Sequence, residues 1–324
     1  MIVNNRYSLQ AGQLKDLAEF WRQRSPDIIA MRENLMFAPP WKNLYEAPYG
    51  WKQDVPMPVK WPKGTELPTS DFDDVELKCS VFKYGTRIQW DQTDAMMDQL
   101  GDLQTHAQTA TENYLTFYRY LIADYLNGTT DYIERADNSY DGAGLFSAVD
   151  GNGQPRMAVA GGNLLNSSGL SAAGIYTDYS RGKQRWNEMK RPLSGIPVFS
   201  PLEVTSENIF CIIPPSLERV FKEISEATNL YVNPAINTAQ SNVLATKVNY
   251  QVENLLTDSS DWYMVLRHKM WKPFLYRGLD KIEAIIANSQ NSDDARKFNI
   301  EALFAKTLMG TCPFAMFTMI KVNA

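Results

Sequence analysis

Cysteine and histidine are scarce in this 324-residue chain, which holds three of the first and two of the second. Cys79, Cys211 and Cys312 are scattered, with no metal-type or redox-type pair, and an odd count suits a reducing compartment. His106 and His268 lie far apart in sequence, which excludes a histidine-rich metal site and leaves a His-based triad few options. A basic excess is missing too. Lys and Arg number 32 against 37 Asp and Glu, a net charge of −5, which argues against a chain whose main task is gripping nucleic acid. No apolar run approaches the ~20 residues that span a bilayer, and the opening MIVNNRYSLQ has neither the basic nor the apolar region of a signal peptide. No phosphate-loop, dinucleotide, nucleophile-elbow or zinc-protease motif occurs. Carboxylates are plentiful, but no spacing argues that two of them converge. The expectation is a soluble, cytoplasmically made protein with no catalytic, metal or cofactor site.

What the chain does have is apolar surface, unevenly placed. Hydrophobic residues make up 44% and aromatics 12%, enough for a sizeable core and too much for a disordered chain. Seven of the 17 prolines fall between Phe37 and Thr69, interleaved with Trp41, Trp51, Trp61, Tyr45 and Tyr49. Proline at this density forbids helix and central strand. Such a segment cannot build its own core, so it must be ordered by packing on something else. A strap across its own domain and an arm on a neighbouring subunit both fit.

Around the strap the periodicities are clear. Ala11 to Arg24 reads as a helix, with Leu14, Leu17, Ala18 and Trp21 on one face. Val55, Met57, Val59 and Trp61 alternate with Pro56, Pro58, Lys60 and Pro62, the ascending arm of a hairpin confined to an edge. Lys63-Gly64 opens its tip. The return strand alternates at Val75, Leu77, Cys79 and Val81, then changes phase to Phe82, Tyr84, Ile88 and Trp90, so a bulge or bend is expected near Val81-Phe82. Leu103 to Leu126 reads as a long scaffold helix with Ala107, Ala110, Tyr114, Phe117, Leu121 and Tyr125 at helical spacing, stopped at Asn127-Gly128.

The middle of the chain is rich in Gly, Asn and Ser. Asp137, Ser139, Asp141 and Gly142 imitate a calcium loop, but the position needing a bidentate Glu holds Ala148. A helix is expected from Ala172 to Lys190, bearing Arg181, Lys183, Arg185, Lys190 and Arg191 on a solvated or intersubunit face. Asn208 to Ile213 reads as a buried strand. Pro214-Pro215 stops it, and Ser216 caps a helix that turns Leu217, Val220, Phe221 and Ile224 inward. Further strands are expected at Thr246–Val252, Trp262–Leu266, Phe298–Phe304 and Phe314–Val322. Strands and helices come in blocks, so the class is α+β.

The order of these elements carries a resemblance. An N-terminal arm is followed by an extended hairpin ending in LKCSVFKYGTRIQW, a long helix, the turn YDGAGLFS, GGNLLNSSGLS, a helix, NIFCIIPPSLERVFKEI and the closing KFNIEALFAKTLMGTCPFAMFTMIKV. This resembles the major head subunits of Mu-like tailed phages, a branch of the Hong Kong-type capsid fold. One departure is that the family's Phe-x-x-x-His reads Phe146 to Asp150 here.

The resemblance implies a division into arm (1–54), E-loop hairpin (55–90), peripheral domain (91–200, spine helix 103–126), axial domain (201–290) and C-terminal strands returning to the peripheral domain (291–324). It resolves the strap as an intersubunit arm, with Trp21, Trp41, Trp51, Trp61, Lys60, Lys63, Phe82 and Tyr84 as contact candidates. Some relatives cross-link a lysine of the E-loop to a neighbour's asparagine, and Lys60 and Lys63 stand near the tip. It further implies an icosahedral shell of hexamers and pentamers, built in the host cytoplasm and found in the virion. Its partners would be a separate scaffolding protein, a portal, a decoration or cement protein, and packaged double-stranded DNA bound without sequence specificity. No enzyme activity or membrane is implied. An encapsulin-like nanocompartment shell is the alternative, and a glycan-binding or glycan-processing domain a remoter one.

Overall fold

The computed structural model describes residues 34–38, 46–52, 74–91, 109, 112–114, 116–133, 136–189, 204–226, 229–233, 238–241, 248–268, 271–278, 283–287 and 300–324. Two five-stranded sheets organise them. The arm helix 11–24, the hairpin tip and the start of the scaffold helix lie outside the described residues.

The first sheet is built on β13 (Ile300–Pro313). On one side it pairs antiparallel with β4 (Phe82–Asp91) over ten residues, Met309 opposite Phe82. On the other it pairs with β12 (Glu283–Ala287) and then with β11 (Phe274–Gly278), which carries the short parallel β1 (Met36–Phe37) at its far edge. The strand expected at Phe298–Phe304 is therefore longer, running on through Lys306 and Gly310, because partners on both sides hold it where its own alternation fades.

The second sheet has the order β5 (Leu164–Asn166), β14 (Met319–Asn323), β10 (Trp262–Leu266), β6 (Ile209–Ile213), β9 (Asn249–Val252). Every residue of β6 and β10 is buried. On β10, Trp262 meets Phe221 edge-on at 5.2 Å and Met264 lies against Gly182. The opposite face turns Tyr263 toward Phe146 (5.4 Å) and bonds its hydroxyl to the Leu126 carbonyl at 2.8 Å. Covered faces on both sides explain why these strands read as unbroken apolar runs. Of Phe314–Val322, expected as one strand, only the part from Met319 is strand; a 3₁₀ turn at Met316–Thr318 precedes it, where Thr318 Oγ1 donates to the Ala315 carbonyl at 2.6 Å.

Three α-helices complete the described core. Helix α1 (Tyr118–Asn127) is the last part of the expected scaffold helix, with residues 109, 112–114 and 116 also helical. It stops where expected, at Gly128, whose φ of 70° and bond to the Asp124 carbonyl form a left-handed cap. Helix α2 (Ala172–Glu188) begins at Ser171, whose hydroxyl accepts from Gly174 N. Of the basic residues read on a solvated or intersubunit face, the Arg181 side chain is 44% exposed, and both Arg181 and Arg185 are also bonded to the chain itself. Arg185 donates to the carbonyls of Gly162 and Leu164, and Arg181 to the Asn166 carbonyl, Ser168 and Asp178, so both pin the 161–168 loop to the helix. Helix α3 (Glu218–Glu226) buries Phe221 and Ile224 as read. Ser216 does not cap it: a 3₁₀ turn, Pro215–Leu217, leads in, and Ser216 Oγ instead donates to the Ser259 carbonyl.

Candidate intersubunit surface

The return strand of the hairpin breaks at the expected place. β3 (Asp74–Ser80) ends, Val81 is outside any strand, and β4 begins at Phe82 with a different partner. β3 pairs antiparallel with β2 (Glu46–Lys52), Glu46 opposite Ser80 and Lys52 opposite Asp74. Pro48 is tolerated because this is a two-stranded sheet with free outer edges among the described residues. The 53–73 connection, with Val55–Trp61, Lys60 and Lys63, lies outside the described residues, as do Trp21 and Trp41. Trp51 pairs with Val75 in the β2–β3 ladder.

Where the hairpin meets the body, a hydrogen-bonded clamp holds Ser80. Its N–H and hydroxyl both donate to the Asp137 carboxylate, at 2.8 and 3.0 Å. Asp137 N–H donates to Tyr125 Oη at 3.2 Å, and that hydroxyl donates to the Thr311 carbonyl of β13 at 2.7 Å. Burial pushes the Tyr125 phenol well up, so it remains a donor at any working pH. The clamp thus joins the hairpin, α1, the glycine-rich loop and β13. Asp137 was read from sequence only as a would-be calcium ligand; the structure spends it here. Asp141, its companion in that reading, is bound by Arg156 at 2.6 and 2.7 Å. Among the described residues no cluster of three or more His, Cys, Asp or Glu could hold a metal.

Asp137→Ala removes two acceptors from Ser80 at once. The expected cost is about 1–3 kcal/mol, and hydrogen exchange should show the Ser80 amide losing protection before the β10 amides do. Unchanged protection at Ser80 would sink the clamp.

Beside the clamp lies a half-exposed aromatic cluster. Tyr84 of β4 packs on Phe117 at 4.7 Å, Phe117 on Tyr120 and Tyr132 at 5.9 and 5.8 Å, and Tyr120 on Tyr132 at 4.8 Å. Tyr84 Oη donates to the Tyr132 carbonyl at 2.8 Å. Tyr132 is 43% exposed. It is held out by a buried carboxylate: Asp124 accepts from Tyr132 N and Ile133 N, at 2.7 and 2.9 Å, and from Thr129 Oγ1 at 3.0 Å.

Of the contact candidates read from sequence, the structure thus places Tyr84 in this cluster and Phe82, half-buried, two residues before it on β4. Sequence reasoning missed Tyr120 and Tyr132, and put Phe117 in a core stripe. The available signal was Asp124 followed by the Asn127-Gly128-Thr129 stop, a helix end whose next aromatic is thrown outward.

No protein-family model matches the sequence, and no curated protein matches it by sequence. Solved structures do match it, over nearly the whole chain. The capsid of Cyanophage P-SCSP1u is 10% identical with a TM-score of 0.58, covering 90% of this chain and 87% of that one. The capsid of an empty GTA particle is 9% identical with a TM-score of 0.55, over 92% and 90%. The capsid of Ralstonia phage GP4 is 9% identical with a TM-score of 0.54, over 89% and 87%. At such identities the likeness is one of fold, and it extends over nearly the whole of both chains. The chain has the mixed α+β, Hong Kong-type fold of phage capsid subunits.

Proposed function

We propose that the protein is the major capsid protein of a tailed double-stranded DNA phage, a structural rather than catalytic subunit that assembles with copies of itself into an icosahedral head. The observation that carries this reading is the near-complete two-way coverage of capsid structures. The half-exposed aromatics at the hairpin base supply a physical reason for assembly: rings in a wet cluster gain by being covered, and many modest contacts add up in a closed shell. The chain would divide, as the resemblance implies, into arm (1–54), E-loop hairpin (55–90), peripheral domain (91–200), axial domain (201–290) and C-terminal strands returning to the peripheral domain (291–324). The chain crosses from the first sheet to the second between β13 and β14. The hairpin and the residues before it would then lie on a neighbour, with Trp21, Trp41, Trp51, Trp61, Lys60, Lys63, Phe82 and Tyr84 toward the contact. A scaffolding protein, a portal, a decoration protein and DNA held without sequence specificity follow as partners, and the virion as location. Among the described residues no helix is long and apolar enough to cross a membrane. The fold is supported more widely than the Mu-like branch, and phage capsids among the similar structures favour a head over a nanocompartment.

Electron microscopy and sedimentation of the purified protein test the reading. Shells of uniform diameter, enclosing DNA when isolated from a lysate, are expected of the unaltered chain. Tyr132→Glu should keep its circular dichroism and melting temperature yet sediment as single subunits or small oligomers. An unaltered chain recovered from the producing cells only as a compact monomer, with no shells in the same lysate, or shells filled with enzyme cargo, would overturn it.

A further inference from the structure

Three cysteines that look unrelated in sequence are not unrelated in space. Cys79, in the last turn of pairing of β3, and Cys312, near the end of β13, are each fully buried. They are separated by more than two hundred residues, yet the antiparallel register that sets Phe82 opposite Met309, continued back along the chain, brings Cys79 level with Cys312. The backbone explains the encounter. A Cβ placed on Gly310 would meet the Ser80 carbonyl oxygen at 2.0 Å and Val81 Cα at 3.0 Å, so the chain at Ser80–Val81 crosses β13 directly over Gly310. Gly310 and Cys312, two apart on one strand, face the same side. Cys79, one residue before the crossing, therefore meets Cys312. Cys211 lies in β6 of the other sheet, fully buried and away from both.

We propose that Cys79 and Cys312 form an intrachain disulfide under oxidising conditions, which fastens the base of the hairpin to β13. With an external disulfide as oxidant the chemistry balances. One cysteine thiolate attacks a sulfur of the reagent and releases one thiolate, leaving a mixed disulfide. The second cysteine thiolate then attacks the protein-side sulfur, forming the Cys79–Cys312 bond and releasing the other half. The protein loses two electrons and two protons, and the reagent becomes two thiols. In the closed fold both sulfurs are shielded, and burial, with the nearby Cys79 adding to it, holds the Cys312 thiol well above its ordinary range. Oxidation is thus slow until the hairpin base opens, with Tyr125, Asp137 and Arg277 the charged and titratable groups that surround the pair. In a reducing compartment the dithiol persists, and outside it the fold selects this pairing.

The test is refolding of the full chain from denaturant in a buffer of oxidised and reduced glutathione that demonstrably oxidises a control dithiol. Free thiols counted under denaturing conditions should fall from three to one. Peptide mapping without reduction should then link the Cys79 and Cys312 peptides and leave Cys211 alkylated. Cys211→Ser should behave in the same way, and Cys312→Ala should retain both remaining thiols. Native protein treated with the same buffer should oxidise faster as Asp137→Ala, because the clamp over the pair is weakened. Three free thiols after refolding to the native circular dichroism spectrum, or links to Cys211 in comparable yield, would overturn the proposal.

Discussion

Asp141→Ala is expected to destabilise the isolated subunit by about 3–5 kcal/mol, read as a lower midpoint in urea with an unchanged slope. Arg156 is 2% exposed, and its guanidinium makes two parallel bonds to Asp141 and a third, at 2.9 Å, to the Leu145 carbonyl. Asn163, fully buried, completes the site: its amide nitrogen donates to the carbonyls of Leu145 and Met316, and its oxygen accepts from Ser147 N. Removing Asp141 leaves a buried cation with carbonyl partners alone, and the 137–145 turn loses its tie to Arg156. Asp141→Asn keeps an acceptor and should cost less. The pair Asp141→Leu with Arg156→Met removes both charges and should recover much of the loss, because the penalty is the unpaired charge and not the missing bridge. A loss below about 1 kcal/mol for Asp141→Ala would show the guanidinium to be solvated.

Some of this was readable in the sequence. Helix α2 is legible as Ala172 to Lys190, two residues beyond its end at Glu188, and α1 by its Asn127-Gly128 stop, since such signals are local. β10 and β6 are legible as apolar runs, and the break at Val81 as a change of phase. The rest depends on partners far along the chain. β1 is two residues long and exists only because Met36 pairs with Phe274. β13 persists through Lys306 and Gly310 because β4 and β11 hold it. Among the surface rings, Phe117 has helical spacing with Leu121 and Tyr125, yet only the Asp124-held loop, by bringing Tyr132 alongside, determines that it faces a half-exposed cluster. The thiol pair and the Asp137 clamp are likewise products of topology: nothing near Cys79 in sequence points to Cys312.

The crossing of the hairpin over β13 yields the second large effect. Gly310→Ala would put a methyl group 2.0 Å from the Ser80 carbonyl oxygen, 2.9 Å from its carbon and 3.0 Å from Val81 Cα. All three are backbone atoms, so no rotamer can give way. β13 is fixed by Gly310 opposite Arg277 in β11 and by Met309 opposite Phe82 in β4. The hairpin base must therefore lift, which stretches the 2.8 Å and 3.0 Å bonds from Ser80 to Asp137 and parts the two thiols. The expected cost is about 3 kcal/mol or more, at the upper end for overpacking. Gly128→Ala is the fitting comparison: φ is +70° there but nothing lies within 4 Å of the added methyl, so only the left-handed penalty of about 1–2 kcal/mol applies. Denaturation midpoints of the two variants rank them, and assembly separates them further. Gly128→Ala subunits that fold should still form shells, whereas folded Gly310→Ala subunits, with the hairpin displaced at its root, should not. Equal midpoints and equal yields of shells would mean that the hairpin base yields freely, and that Ser80 is not held where the clamp places it.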